Sequence, residues 1–415
     1  MAMYKSIQFL GWEVYSGPIY SSLGTGNFSK ITAIDYAGFT NNKMDRRLNV
    51  YSQCVDIMGR VAFVKEAVEK AFEKADSSDE VLKVFMAPEF LFRGASGAYL
   101  HDLIGGWIGS SPVPLEPPFD KAWGGLVGEL KKIIADPKFS NWLFVFGTAV
   151  SASLKTEVIG GKSVIQFNKP AEVYNTAIIQ KGGSLDANRY VRKYGISHID
   201  FINYRLATEC YINGCIISPD LAVIIPNAAN CSTEGSLIFT YNEILRTNGK
   251  PLKFGVEICL DHYGYRYIET PRATLKMLDR GRIKDSGLEV DIQLVPSGGM
   301  TLHENSMAVP MTRADYKSYL FNCDGLSCLA GNRYGAHIQI GENQMGKLVL
   351  LENLSTDFDS INHINTVALE QRAEIQGIGE INALNLWRAR ELSEFNESSL
   401  PYGSGQIYFS QVYPL

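Results

Sequence analysis

The feature that most constrains this chain is an alternation in which short, continuous apolar runs recur between stretches with the period of a helix. "SIQFLGW" reads as a first strand. Ile57, Val61, Val64, Val68 and Phe72 then fall on one face at helical spacing, with Lys and Glu between them. "VLKVFMAP" reads as a buried strand, and Trp123, Leu126, Val127, Leu130, Ile133 and Ile134 as a second amphipathic helix. "WLFVFGTAV", "VYNTAIIQKGG" and "RYVRKYGI" are three successive strands, with "LKFGVEICL", "DIQLVPSG", "AHIQI" and "KLVLLEN" further on. Helices are expected over "TPRATLKMLDRGR" and "MTRADYKSYLF". Strands apolar on both faces and separated by helices belong to a layered α/β fold with its sheets buried. In such folds side chains converge on ligands at strand ends, so chemistry is sought there.

No internal repeat, low-complexity tract or Pro/Ser-rich linker divides the 415 residues, which predicts one domain over 1–415. Residues near 16–47 and 196–250 read as insertions, and those near 385–415 as a tail that needs a surface to lie on. A net charge of -5 gives no basic footprint for nucleic acid, and a small polar or neutral substrate suits it as well. No segment reaches the roughly 20 apolar residues of a membrane span. The stretch "MAMYKSIQFLGWEVYSG" lacks the apolar run of a signal peptide. Seven scattered cysteines form no CxxC pair, and Cys210 and Cys215 lack the close His and Cys partners of a zinc site. The expectation is a reduced, cytoplasmic protein without a metal.

Three strand ends carry chemistry. In "VFMAPEFLFRG", Glu89 follows Pro88 amid Phe90, Leu91 and Phe92. A carboxyl in apolar surroundings is pushed up toward neutral pH, which suits a general acid or base; the plainer reading pairs Glu89 with Arg93. In "NRYVRKYGISHIDF", strand alternation points one of Arg192 and Lys193 inward. An inward lysine must find a carboxylate, and there it can stabilise an oxyanion; otherwise both are solvated cations on an edge strand. In "KFGVEICLDHYG", Cys259 sits where a buried strand meets a polar turn. A buried cysteine usually acts as a small hydrophobe. A sharp strand-to-loop turn instead exposes its sulfur and presents the next backbone N–H, that of Leu260, to an oxyanion.

Taken in order, "APEF", "YVRKYG" and "GVEICLD" resemble the nitrilase, or carbon–nitrogen hydrolase, superfamily. "FVFGTAV", "YNTAIIQKGG", "VDIQLVPSG", "TRADY" and "AGNRYG" extend the likeness over roughly residues 5 to 350. The resemblance implies a four-layer α-β-β-α sandwich and a catalytic triad of Glu89, Lys193 and Cys259. It implies no cofactor, and a homodimer or larger homo-oligomer in which the apolar tail "QIYFSQVYPL" could be exchanged or could pack on its own subunit. The family often carries a second glutamate soon after the lysine; here Asp200 and Glu209 are the candidates. Phe90, Phe92, His262, Tyr263 and Tyr265 are candidate pocket residues, each also readable as packing.

The chemistry implied is attack of the Cys259 thiolate on a small amide-like substrate, with Glu89 moving protons and a thioester as intermediate. Nitrile-cleaving relatives usually have Trp-Glu after the cysteine, whereas Leu260-Asp261 resembles the amide-cleaving pattern. Acyl or amidino transfer to an amine, nitrile hydrolysis and a catalytically silent binding protein are the alternatives. So is a Cys–His hydrolase using His262 or the more distant His198.

Overall fold

The computed structural model describes residues 2–17, 19–20, 34–35, 38–39, 50–95, 97–111, 115–153, 156–165, 172–184, 188–195, 211–212, 215–216, 236–264, 266–269, 274–277, 279–329, 333–355, 365–387 and 404–415. It is a mixed α/β fold with two large sheets. Their strands, in chain order, are β1 (Ala2–Tyr4), β2 (Ser6–Glu13), β3 (Val81–Met86), β4 (Tyr99–Leu100), β5 (Trp142–Ser153), β6 (Glu172–Lys181), β7 (Arg189–Arg192), β8 (Ile238–Arg246), β9 (Pro251–Val256), β10 (Ile292–Ser297), β11 (Tyr319–Leu329), β12 (Arg333–Gln344), β13 (Lys347–Ser355), β14 (Thr366–Ala368) and β15 (Gln406–Pro414). The first sheet has eight strands in the order β7-β6-β5-β3-β2-β15-β14, with β4 also on β5; the second has seven, β1-β8-β9-β10-β11-β12-β13.

The centres of both sheets are parallel: β2, β3 and β5 in one, β9, β10 and β11 in the other. Their inner faces pack together through Phe9, Val84, Met86 and Val145 on one side and Phe254, Leu294, Phe321 and Ile338 on the other. Phe9 and Phe321 meet with ring centroids 4.9 Å apart. Gly11 permits this approach, since a Cβ there would lie 2.3 Å from Ile338 Cδ1.

Helices α1 (Val50–Lys74), α2 (Asp102–Gly105), α3 (Gly125–Ile134) and α6 (Ala383–Trp387) lie on the first sheet, burying Ile57, Val64 and Val68 of α1 and Leu126 and Leu130 of α3 against Phe85, Phe144 and Phe146. The strand β3 is buried throughout because helices cover one face and the second sheet the other. The second sheet has a thinner cover. Short helices α4 (Leu260–Tyr263) and α5 (Arg282–Asp285), a 3₁₀ turn (Glu304–Ser306) and intervening loops enclose a small core of Ile283, Val290, Val295, Leu302, Met307, Val309 and Leu320.

Both helices expected there are corrected. "TPRATLKMLDRGR" contributes a strand, Thr274–Met277, paired with Arg266–Glu269, and then the four-residue α5. "MTRADYKSYLF" forms a turn closed by Arg313 and Tyr316 and then enters β11, whose Tyr319, Leu320 and Phe321 are all buried. Tertiary pairing overrides helical propensity in both segments.

The tail ends as a strand inside the first sheet: β15 pairs antiparallel with β2 and with β14. The end of the expected 196–250 insertion is β8, a strand of the second sheet. Most of 16–47, residues 196–210 and 217–235, and residues 388–403 lie outside the described residues. Among the described residues no helix is long and apolar enough to cross a membrane.

Candidate active site

Glu89, Cys259 and Gly298 follow the carboxyl ends of β3, β9 and β10, so parallel strands from both sheets deliver them to one edge. The two edges are sewn together where Glu89 N–H donates to Ser297 O at 3.3 Å. Pro88 cannot donate to the sheet, and the chain turns sharply at Phe90, whose φ is 65°. Phe90 N–H donates to Thr148 Oγ1 at 2.9 Å, and the Arg60 guanidinium of α1 holds Leu91 O at 2.6 Å.

The Glu89 side chain is fully buried. Its Oε1 accepts from Lys193 Nζ at 2.8 Å and from Asn175 Nδ2 at 2.7 Å. Lys193 is the inward member of its pair: its side chain is 2 % exposed, and its N–H donates to Asn175 O at 2.8 Å, prolonging the β6–β7 ladder. Arg192 turns the other way and lays its guanidinium 4.3 Å from the Tyr174 ring centre. Arg93 stacks on the Phe90 ring at 3.6 Å.

Cys259 occupies a strained turn, with φ 48° and ψ -108°, as the residue before α4. A non-glycine residue held there costs about 1–3 kcal/mol, which the surrounding structure must supply. Cys259 N–H donates to Pro296 O at 3.1 Å, and Cys259 O accepts from His262 N–H at 2.8 Å. Its sulfur lies 3.6 Å from Gly298 O. A Cβ at Gly298 would stand 3.3 Å from Glu89 Oε2 and 2.9 Å from the Phe90 ring. Gly298 is therefore the shared neighbour of the thiol and the carboxylate. Leu260 opens α4 beside the sulfur-bearing residue.

The acids at two residues either side of the cysteine are buried ties. Glu257 accepts from Gln293 Nε2 at 2.7 Å and from Ile283 N–H at 2.6 Å, and lies 2.8 Å from His262 Nδ1. His262 Nε2 accepts from His303 N–H at 3.0 Å, so the proton sits on Nδ1 facing Glu257. Both ring nitrogens of this fully buried histidine are engaged away from the thiol, which leaves it a structural group. Asp261 accepts from Tyr194 N–H at 3.0 Å, Gly195 N–H at 2.6 Å and Arg282 Nη1 at 2.8 Å. Burial pushes the Asp261 carboxyl above the ordinary range, against the pull of Arg282 and the two amides.

Of the other candidates, Phe92 packs in the core between the first sheet and its helices rather than at the site. Tyr263 is 46 % exposed and rests on the His303 ring at 4.4 Å between centroids. Asp200, Glu209, His198 and Tyr265 lie outside the described residues. Asn175 and the ties made by Glu257 and Asp261 had no signal beyond a polar residue within an apolar strand or beside the cysteine. Two clefts lie elsewhere: one of about 400 Å³ on the outer face of the first sheet, by His101, Tyr190 and Arg192, and one of about 520 Å³ by Arg246, Lys253 and Arg313. Among the described residues no three His, Cys, Asp or Glu side chains are grouped to hold a metal ion.

No protein-family model matches this chain, and no curated protein matches it. Among solved structures, one similar chain is a mutant of the amidase from Nesterenkonia sp. AN1, which carries the acetamide moiety of fluoroacetamide added covalently at its active site cysteine. The two are 10% identical over 85% of this chain and 89% of that one, with a TM-score of 0.29. A likeness that slight carries no argument about this chain.

Proposed function

We propose that this protein hydrolyses a small, non-peptide carbon–nitrogen bond, an amide in the first instance, through a thioester on Cys259. The observation that carries the reading is the buried Glu89–Lys193 pair, 2.8 Å apart, sharing Gly298 with a cysteine held in a strained turn. The two-sheet core with helices on one outer face is compatible with a nitrilase-type α-β-β-α arrangement whose other outer layer is reduced to short turns.

A free thiol has a pKa near about 8.5, so little thiolate exists at neutral pH without help. Glu89 takes the proton of Cys259 as the sulfur attacks the carbonyl carbon. The oxygen becomes an oxyanion, held by the Lys193 ammonium and the Leu260 N–H. Losing one such donor costs about 3–4 kcal/mol of barrier. As the tetrahedral adduct collapses, the C–N bond breaks and the nitrogen leaves as ammonia or amine with the proton from Glu89. Glu89 then takes a proton from water, whose oxygen attacks the thioester. The C–S bond breaks, the acid is released and the thiol recovers its proton. Asn175 and Lys193 fix the carboxylate throughout by occupying Oε1.

The test is a panel of primary amides, N-carbamoyl compounds, N-acyl amines and nitriles, assayed for ammonia and acid. Amide turnover is expected from the parent protein and none from Cys259→Ala. If product appears on an added amine at the expense of acid, the same triad performs transfer. We further propose a homodimer or larger assembly that leaves β15 in place, because that strand already pairs on both sides within its own chain. Sedimentation with the tail intact tests this.

A further inference from the structure

Lys193 follows a strand of the first sheet and Cys259 a strand of the second. The segment after the lysine is bolted to the segment after the cysteine. Asp261, on the first turn of α4, receives the backbone N–H groups of Tyr194 and Gly195 at 3.0 and 2.6 Å, although 67 and 66 positions separate them in sequence. Arg282 closes the arrangement from α5. One of its nitrogens, Nη1, donates both to Asp261 Oδ2 at 2.8 Å and to Arg192 O at 3.1 Å, and its guanidinium stacks 4.8 Å from the Tyr194 ring centre. The lysine backbone is thus held on both sides, through the carbonyl before it and the amides after it.

Arg282 is itself fixed. Ile283 N–H donates to Glu257, and Gly281 N–H donates to Ser306 Oγ at 2.9 Å. A Cβ at Gly281 would stand 2.7 Å from Glu257 Oε1, so this turn sits directly on the carboxylate two residues before the cysteine. The turn at 281–283 is therefore tied to both flanks of Cys259 and to both flanks of Lys193. Burying a charged pair seldom adds net stability over a well-packed apolar pair. What this pair supplies is geometry between two distant segments.

Resting on the Glu89–Lys193–Cys259 reading above, we infer that Asp261 and Arg282 are positioning residues that set the distance from the Lys193 ammonium to the Cys259 sulfur. They touch neither the thiol nor the ammonium and act through the backbone of 192–195 and of α4.

The experiment follows the second-order rate of iodoacetamide alkylation at Cys259, by peptide mass mapping, from pH 5.5 to 9.5. It compares the parent with Lys193→Met, Asp261→Asn, Arg282→Met and Arg282→Lys. Lys193→Met is expected to move the thiol inflection up by about one unit, because a nearby cation favours the thiolate. Asp261→Asn and Arg282→Met are expected to move it the same way by at least half as much. Arg282→Lys, which keeps a cation beside Asp261, is expected to restore most of the parent profile. Adding Asp261→Asn to Lys193→Met is expected to change nothing further, since the two act on one coupling. A purely structural tie would lower the melting temperature and leave the profile where it was, and that result overturns the inference alone. If Lys193→Met leaves the profile unmoved, the triad reading fails and the inference falls with it. Should Asp261→Asn not fold, Arg282→Met decides by the same criteria.

Discussion

The sulfur of Cys259 lies 3.6 Å from the carbonyl oxygen of Gly298, and the absent side chain of that glycine would point at Glu89 Oε2 and the Phe90 ring. Gly298→Ala is therefore expected to push the carboxylate and ring away from the thiol. This is expected to lower turnover, because a misplacement of about 1 Å already costs about 100-fold in rate, and the crowding costs about 1–3 kcal/mol of stability. Turnover and urea unfolding of the same preparation separate the two effects. A variant with unchanged turnover would remove Gly298 from the site.

Lys193→Met removes the ammonium that lies 2.8 Å from the buried Glu89 carboxylate. Breaking such a pair costs about 3–5 kcal/mol, and loss of the oxyanion contact about 100- to 1,000-fold in turnover. The stability deficit is expected to shrink as pH falls, because protonation of Glu89 removes the buried charge that Lys193 had paired. Urea titrations at pH 5 and pH 7.5 measure this. An equal deficit at both pH values would contradict it.

Much of the fold is legible in the sequence because burial on both faces leaves uninterrupted apolar runs. "VLKVFM" and "DIQLVPS" identify β3 and β10, and the period of Ile57, Val61, Val64 and Val68 identifies α1. The signal fails where pairing partners are remote. "MTRADYKSYLF" looks helical by local pattern, and only the parallel pairing of β11 with β10 makes Tyr319–Phe321 a strand. The last residues read as a loose tail for the same reason, since the partner of β15 is β2, almost the whole chain away. At the site, Glu89, Lys193 and Cys259 stand out as awkward residues at strand ends. Asn175, Glu257 and Asp261 do not, because the groups they hold are backbone amides or come from distant segments.

Glu13 supplies a pH dependence unrelated to the site. Burial pushes its carboxyl from 4.5 up to about 7, opposed by the Gln406 amide, which donates to Oε2 at 2.6 Å. The folded state thus holds this proton more tightly than the unfolded chain. Its contribution is fully present below about pH 4.5 and is lost as pH rises to about 7, a fall of about 3 kcal/mol. Glu13→Gln keeps an acceptor for Gln406 and removes the titration. Relative to the parent, the variant should gain stability between pH 5 and pH 8; a constant difference would contradict the account.

The described thiols should differ in reactivity. Burial pushes Cys54 up to about 12, and Cys323, buried near Glu13 and Asp324, also stands well above its ordinary value. At pH 7.5 iodoacetamide is expected to label Cys259 at least about tenfold faster than either, since the thiolate is the nucleophile. Equal rates by peptide mass mapping would favour a silent scaffold.

The most direct measurement of the central claim is intact-mass and peptide analysis of the protein quenched in acid during turnover of a primary amide. The account predicts an added mass equal to the amide less ammonia, located on Cys259, absent from Cys259→Ala and discharged by water when the quench is delayed. Hydrolysis of the same amide by Cys259→Ala at the parent rate, with no adduct at that position in the parent, would contradict it.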